Sequence, residues 1–86
     1  MYEIFIEKVA QRELSKIPLN DQNRIIEAIR DLSKNPRPSN SKKLSGRQAW
    51  RIRIGNYRVL YEIDDDNYEL LVVHVGHRRE IYRKLK

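Results

Sequence analysis

From Trp50 to Tyr61 the chain alternates apolar and charged residues around a central Gly55-Asn56 pair, which predicts a β-hairpin closed by a two-residue turn. That turn fixes which residues face each other. With Ile54 opposite Tyr57, the successive pairs are Arg53 with Arg58, Ile52 with Val59, Arg51 with Leu60 and Trp50 with Tyr61. One face of the hairpin is then apolar, and the other carries Arg51, Arg53 and Arg58. Like charges directly opposed on a sheet destabilise it by some tenths of a kcal/mol. An arrangement that works against folding in this way points to a polyanion as its natural occupant.

The chain has 86 residues, enough for one domain (1–86) with a single modest core. Eighteen Lys and Arg against twelve Asp and Glu give a formal charge of +6, and the excess is uneven. Residues 1–41 hold seven basic and six acidic side chains, whereas residues 42–86 hold eleven and six. A basic C-terminal half is the footprint expected of a nucleic-acid surface. There is no cysteine, so disulfides, thiolate nucleophiles and Cys-based zinc sites are excluded. The N-terminal Met1–Glu7 stretch lacks the basic and apolar regions of a signal peptide, and no apolar run approaches the length of a membrane helix; a cytoplasmic location is expected.

Tyr2–Ile6 alternates as a short strand, with Phe5 on the face away from Ile4 and Ile6. Ala10, Leu14 and Ile17 recur at helical spacing. Pro18-Leu19-Asn20-Asp21 interrupts that pattern and offers a cap for a second helix, whose buried stripe is Ile25, Ala28, Ile29 and Leu32. Asn35-Pro36 ends it. Arg37–Gly46, rich in Pro, Ser, Asn and Lys, reads as a loop holding Lys42 and Lys43. Beyond the hairpin, a four-residue Asp64–Asn67 turn would pair Ile63 with Tyr68, Arg58 with Val73 and Tyr57 with His74. In that register Tyr57, Tyr61 and Tyr68 share the buried face, and Tyr68–Val75 reads as a central strand stopped by Gly76. His77–Lys86 can form a short helix or turn that sets Arg78 and Tyr82 on one side. The expected fold is α+β: a small antiparallel sheet in the order β-α-α-β-β-β with an N-terminal helical hairpin on one face.

Arg51, Arg53 and Arg58, with Arg78 and Tyr82 just beyond the last strand, could converge on one concavity. Several guanidiniums so placed bind adjacent phosphates and stabilise a pentacoordinate phosphoryl transition state. The competing reading is a solvated basic face. His77 is the imidazole best placed for acid–base work, flanked by Arg78 and Arg79; an exposed polar strand end is the alternative. His74 fits a hydrogen-bonded core histidine, Trp50 a core anchor, and Asp64-Asp65-Asp66 a solvated turn. Two isolated histidines make no metal site, and no cofactor is expected.

Lys43-Leu44-Ser45-Gly46, Arg51–Tyr61 and Val75-Gly76-His77-Arg78-Arg79-Glu80-Ile81-Tyr82 together resemble the RelE/ParE toxin superfamily of type II toxin–antitoxin systems. The likeness runs through nearly the whole chain in element order. It implies a RelE-like toxin that cuts mRNA on the ribosome, through attack of the RNA's own 2′-oxygen on the adjacent phosphate. It also implies a 70S-type ribosome and mRNA as partners and a cognate RelB-like antitoxin. Arg51 and Arg53 stand where RelE-type toxins often carry active-site lysines, Arg58 and Arg78 match phosphate-contacting arginines, and Tyr82 matches the C-terminal active-site tyrosine. Lys42, Lys43 and Arg79 are the accompanying RNA-binding candidates. A guanidinium cannot be deprotonated in a protein, so a base role does not transfer from lysine to arginine, which makes His77 the first choice. The alternatives are a ParE-like poison of DNA gyrase and a noncatalytic RNA-binding module on the same fold.

Overall fold

The computed structural model describes residues 1–45 and 48–85, with side-chain environments through Arg83. Gly46, which closes the Lys43–Gly46 motif, and Lys86 lie outside the described residues. Strand β1 (Glu3–Ile6) is followed by helices α1 (Lys8–Ser15) and α2 (Leu19–Asp31), then by strands β2 (Ser41–Lys43), β3 (Ala49–Ile54), β4 (Tyr57–Asp64) and β5 (Glu69–His77), and a 3₁₀ turn at Ile81–Leu85. The five strands form one sheet in the order β1-β5-β4-β3-β2. No helix among the described residues is long and apolar enough to cross a membrane.

The hairpin has the register that its turn demands, Ile54 with Tyr57 through Trp50 with Tyr61. Gly55 takes a φ of +58° at the first central position of the turn, as a type II′ hairpin requires. The α+β class holds, but the sheet is mixed: β1 lies parallel to β5, from Glu3 with Glu69 to Ile6 with Val72. Tight turns impose antiparallel pairing only on strands adjacent in sequence, and the helical hairpin separates β1 from its neighbour. The expected loop after α2 also contains a strand, β2, which pairs Lys42 with Arg51 and Lys43 with Trp50. Its short polar sequence suits an edge strand, which needs no apolar signal.

Alternation divides the sheet into two faces. Ile52, Val59, Tyr61, Leu70, Val72 and Val75 point to one side, where they form the core with Ala10 and Leu14 of α1 and Ile25 and Ile29 of α2. Pro18 caps α2, and Gln22 Nε2 reaches back to the Leu14 carbonyl at 2.9 Å, tying the two helices together. Leu32 follows α2 and is fully buried, while Ser33 and Tyr2 exchange two hydrogen bonds that anchor the helix end to β1. Tyr61 is fully buried and donates its hydroxyl to the Pro36 carbonyl at 2.7 Å.

The β4–β5 register departs from the sequence expectation. Asp64 pairs with Glu69, so the turn is Asp65–Tyr68; Tyr68 adopts a φ of +53° and is exposed rather than part of the core. Beyond it the pairing slips again: Tyr61 faces Val72 but Leu60 faces His74, leaving Val73 as an extra residue in β5. Arg58 therefore lies opposite Gly76, and Tyr57 opposite His77 rather than His74. A one-residue bulge reverses which face each later residue occupies, and alternation alone cannot reveal it. Gly76 does not stop the strand, which continues to His77.

β1 covers β5 only as far as Val72, and Glu13 of α1 takes over the open edge. Its Oε1 accepts the Val75 amide at 3.0 Å and lies 3.2 Å from His74 Nδ1. His74 is thus hydrogen-bonded, but at a strand edge rather than in the core.

Burial of Tyr61 pushes its hydroxyl up to about 12 from an ordinary value of 10.0. A raised folded value means that stability is complete below about pH 10 and is lost as the pH climbs toward 12, because the unfolded chain releases that proton first. Two units correspond to roughly 2–3 kcal/mol at the top of that window. Urea unfolding of Tyr61→Phe between pH 9 and 11.5 should show a flatter loss than wild type, at a neutral-pH cost of about 1 kcal/mol for the hydrogen bond. Parallel pH profiles for the two proteins would contradict this.

Candidate functional site

The sheet face away from the helices carries the arginines. Across the strands, one row is Lys42, Arg51, Leu60 and His74, and the next is Arg53, Arg58 and Gly76. Arg51 is only 8% exposed, whereas Arg53 is exposed and Arg58 half-buried. The Asn40 amide donates to the Arg53 carbonyl at 3.0 Å, and Ser39, Asn40, Ser41, Lys42, Arg51 and Arg53 line a shallow depression of about 390 Å³. Lys43, one residue on from Lys42, takes the opposite orientation beside Trp50. Trp50 is half-buried with the Arg37 guanidinium 5.0 Å over its ring, and is held as a structural anchor.

Arg58 is the centre of the group. Its Nη1 donates to the carbonyls of Gly55 and Tyr57 at 3.0 and 2.9 Å, so the guanidinium is fixed against the hairpin turn. Burial holds its pKa below the ordinary guanidinium value; Arg53, Arg51 and Arg78 add to the depression, and Tyr82 opposes it. None of these leading electrostatic neighbours is a carboxylate. The Arg78 amide donates to the Asn56 carbonyl at 2.8 Å, which clips the segment after β5 to the hairpin turn and brings Arg78 alongside.

Tyr82 reaches the same place through Gly76 and Ile81. A Cβ at position 76 would lie 3.2 Å from Ile81 Cδ1, a crowded contact, so glycine leaves room for the fully buried Ile81 to seat closely on the arginine face. That seating carries Tyr82, 44% exposed, into the field of Arg58. A glycine inside a strand marks such close approaches, and this signal could have been read from the sequence.

His77 does not join the cluster. It pairs with Tyr57, and the two rings meet edge to face with centroids 6.0 Å apart, on the opposite side of the sheet from Arg58. Its Nδ1 accepts the amide of Arg79, an exposed residue, at 3.2 Å. The site thus gathers Arg51, Arg53, Arg58, Arg78 and Tyr82, with Lys42 on its flank, and leaves His77 and Lys43 facing elsewhere.

Among the described residues, no three His, Cys, Asp or Glu side chains are grouped so as to hold a metal. Asp64 ends β4, and Asp65 and Asp66 lie in the turn that follows: Asp64 accepts from Asn67, and Asp65 pairs with Arg37 at 2.7 Å and accepts the Tyr2 hydroxyl.

The two-helix hairpin packed against a five-stranded mixed sheet is a RelE-like fold. The family model described as ParE toxin of type II toxin-antitoxin system, parDE, matches residues 4–82, and the chain belongs to this toxin family. Toxin RelG of Mycobacterium tuberculosis is 34% identical, over 96% of this chain and 98% of the relative. Among solved structures, the RelBE2 toxin–antitoxin complex of M. tuberculosis matches with a TM-score of 0.80 at 31% identity, over 90% of this chain and 98% of that one. The archaeal RelE–RelB complex from Pyrococcus horikoshii OT3 gives 0.81 at 25% identity, over 90% and 94%. The intact E. coli RelBE complex shares the fold, with a TM-score of 0.78 at 22% identity over 90% and 96%.

If Arg53 and Arg58 repel each other across the hairpin, Arg53→Gln should stabilise the free protein by a few tenths of a kcal/mol, or about 1–3 °C in Tm. Raising the salt should shrink that gain. Arg53 is the cleaner position, since Arg58 also supports the turn. A lower Tm for Arg53→Gln would show that the pair is not strained.

Proposed function

We propose that this toxin is a ribosome-dependent mRNA endoribonuclease that acts by 2′-oxygen attack on the adjacent phosphate. The observation that carries the reading is the setting of Arg58, half-buried and fixed by backbone carbonyls, with Arg51, Arg53 and Arg78 around it and no carboxylate among its leading neighbours. Such a group is preorganised for the charge that builds on the nonbridging oxygens of a phosphodiester under attack.

In the reaction, the 2′-oxygen forms a bond to phosphorus as the bond to the 5′-oxygen breaks, leaving a 2′,3′-cyclic phosphate and a 5′-hydroxyl. The 2′-hydroxyl must lose a proton and the 5′-oxygen must gain one. Guanidiniums remain protonated and cannot exchange it. Among the described residues, Tyr82 is the proton-exchanging side chain close enough to act on Arg58, and its hydroxyl takes over the role that the sequence assigned to His77. A site of fixed charges without a strong base depends on the ribosome to hold the RNA in line, so isolated RNA is a poor substrate. Lys42 and Arg79 extend the basic surface along the bound strand. The partner that restrains the toxin in the cytoplasm is a RelB-like antitoxin offering acidic groups to this face.

Primer extension on mRNA translated with and without the toxin should show cuts within the ribosomal A site, with naked RNA largely spared. Arg58→Ala and Tyr82→Phe should each slow single-turnover cleavage by roughly 10²-fold or more, while His77→Ala stays within a few-fold of wild type. A ParE-like reading is favoured by the name of the matching family model; intact mRNA together with arrested DNA gyrase would establish it and overturn the nuclease assignment.

A further inference from the structure

The face that carries the arginines changes character at its other end. Phe5, Leu71, Glu62 and Ala49 form one row across β1, β5, β4 and β3, and Glu3, Glu69 and Asp64 form the next. Phe5 is 43% exposed, Leu71 is half-buried, and no helix covers them. They line a groove of about 620 Å³ whose rim includes the carboxylates of Glu62, Asp64 and Glu69. In a chain of net charge +6 these acids are concentrated where the apolar side chains are, four strand residues or roughly 13 Å from Arg58.

The geometry points to this groove as a docking site for a protein segment that presents bulky apolar side chains flanked by lysine or arginine. An exposed aromatic beside a second apolar residue is the usual anchor of a peptide-binding surface, and a polar rim sets its specificity. Here the rim is anionic, so it repels RNA and acidic segments and selects a cationic one. Asp64 is held as the carboxylate by its hydrogen bonds from Asn67, which keep its pKa below the ordinary value and keep that part of the rim charged. The site is separate from the arginine cluster and does not rest on the nuclease assignment. A partner that covers the whole face must therefore carry cationic and apolar residues at one end and acids at the other.

The test is an NMR titration of the full chain with a synthetic peptide holding Leu-Ser-Phe-Ser-Leu between paired lysines, alongside the same peptide with glutamates in place of the lysines. Saturable shifts at Phe5, Glu62 and Leu71 are expected with the lysine peptide, and none there with the glutamate peptide. Phe5→Ser and Glu62→Lys, both at exposed positions, should each weaken binding by roughly tenfold. Absence of groove shifts, equal binding of both peptides there, or indifference to both substitutions would overturn the proposal.

Discussion

Arg53 and Arg58 face each other across an antiparallel pair, and the two-residue Gly55-Asn56 turn leaves them no freedom to slide apart. A slip of one residue would turn Ile52, Ile54, Tyr57 and Val59 away from the helices, at a cost of several kcal/mol in lost burial against some tenths for the charge repulsion. The core therefore holds the guanidiniums together. Because the hydrophobic face fixes the register, the opposite face can carry a charge arrangement that would not assemble on its own.

The rest of the site is hung on that hairpin by backbone contacts. Arg58 is steadied by the Gly55 and Tyr57 carbonyls, Arg78 is clipped to Asn56 through its amide, and Tyr82 is delivered by Ile81 seating over Gly76. These links hold the cationic groups of the face together through contacts with the hairpin turn and the end of β5. The same sheet face is acidic and apolar at its other end, which divides it into a cationic end and an anionic, apolar one.

How much of this was legible from the sequence depended on whether the cue was local. The hairpin register, the helical stripes at Ala10, Leu14, Ile25 and Ile29, and the outward turn of Phe5 follow from alternation, spacing and one Gly-Asn pair. Three features had no such cue: the parallel β1–β5 pairing is made between distant segments, β2 is a short polar edge, and the extra residue at Val73 leaves no mark in the pattern. The last mattered most for chemistry, since it put His77 beside Tyr57 and left Tyr82 with the arginines. Arg51, Arg53, Arg58, Arg78 and Tyr82 could be grouped without the β5 register because the hairpin and the chain's exit after Gly76 already brought them to one end.

The central claim is that the arginine cluster holds the scissile phosphate while Tyr82 handles the proton of the attacking oxygen. A structure of the toxin on a ribosome programmed with mRNA carrying a 2′-deoxy residue at the cleavage position would test it most directly. The account predicts the phosphate within hydrogen-bonding distance of Arg58 and a neighbouring guanidinium, with the Tyr82 hydroxyl facing the 2′ carbon and His77 turned away. An mRNA strand bound elsewhere on the molecule, or a phosphate held without Arg58, would contradict it.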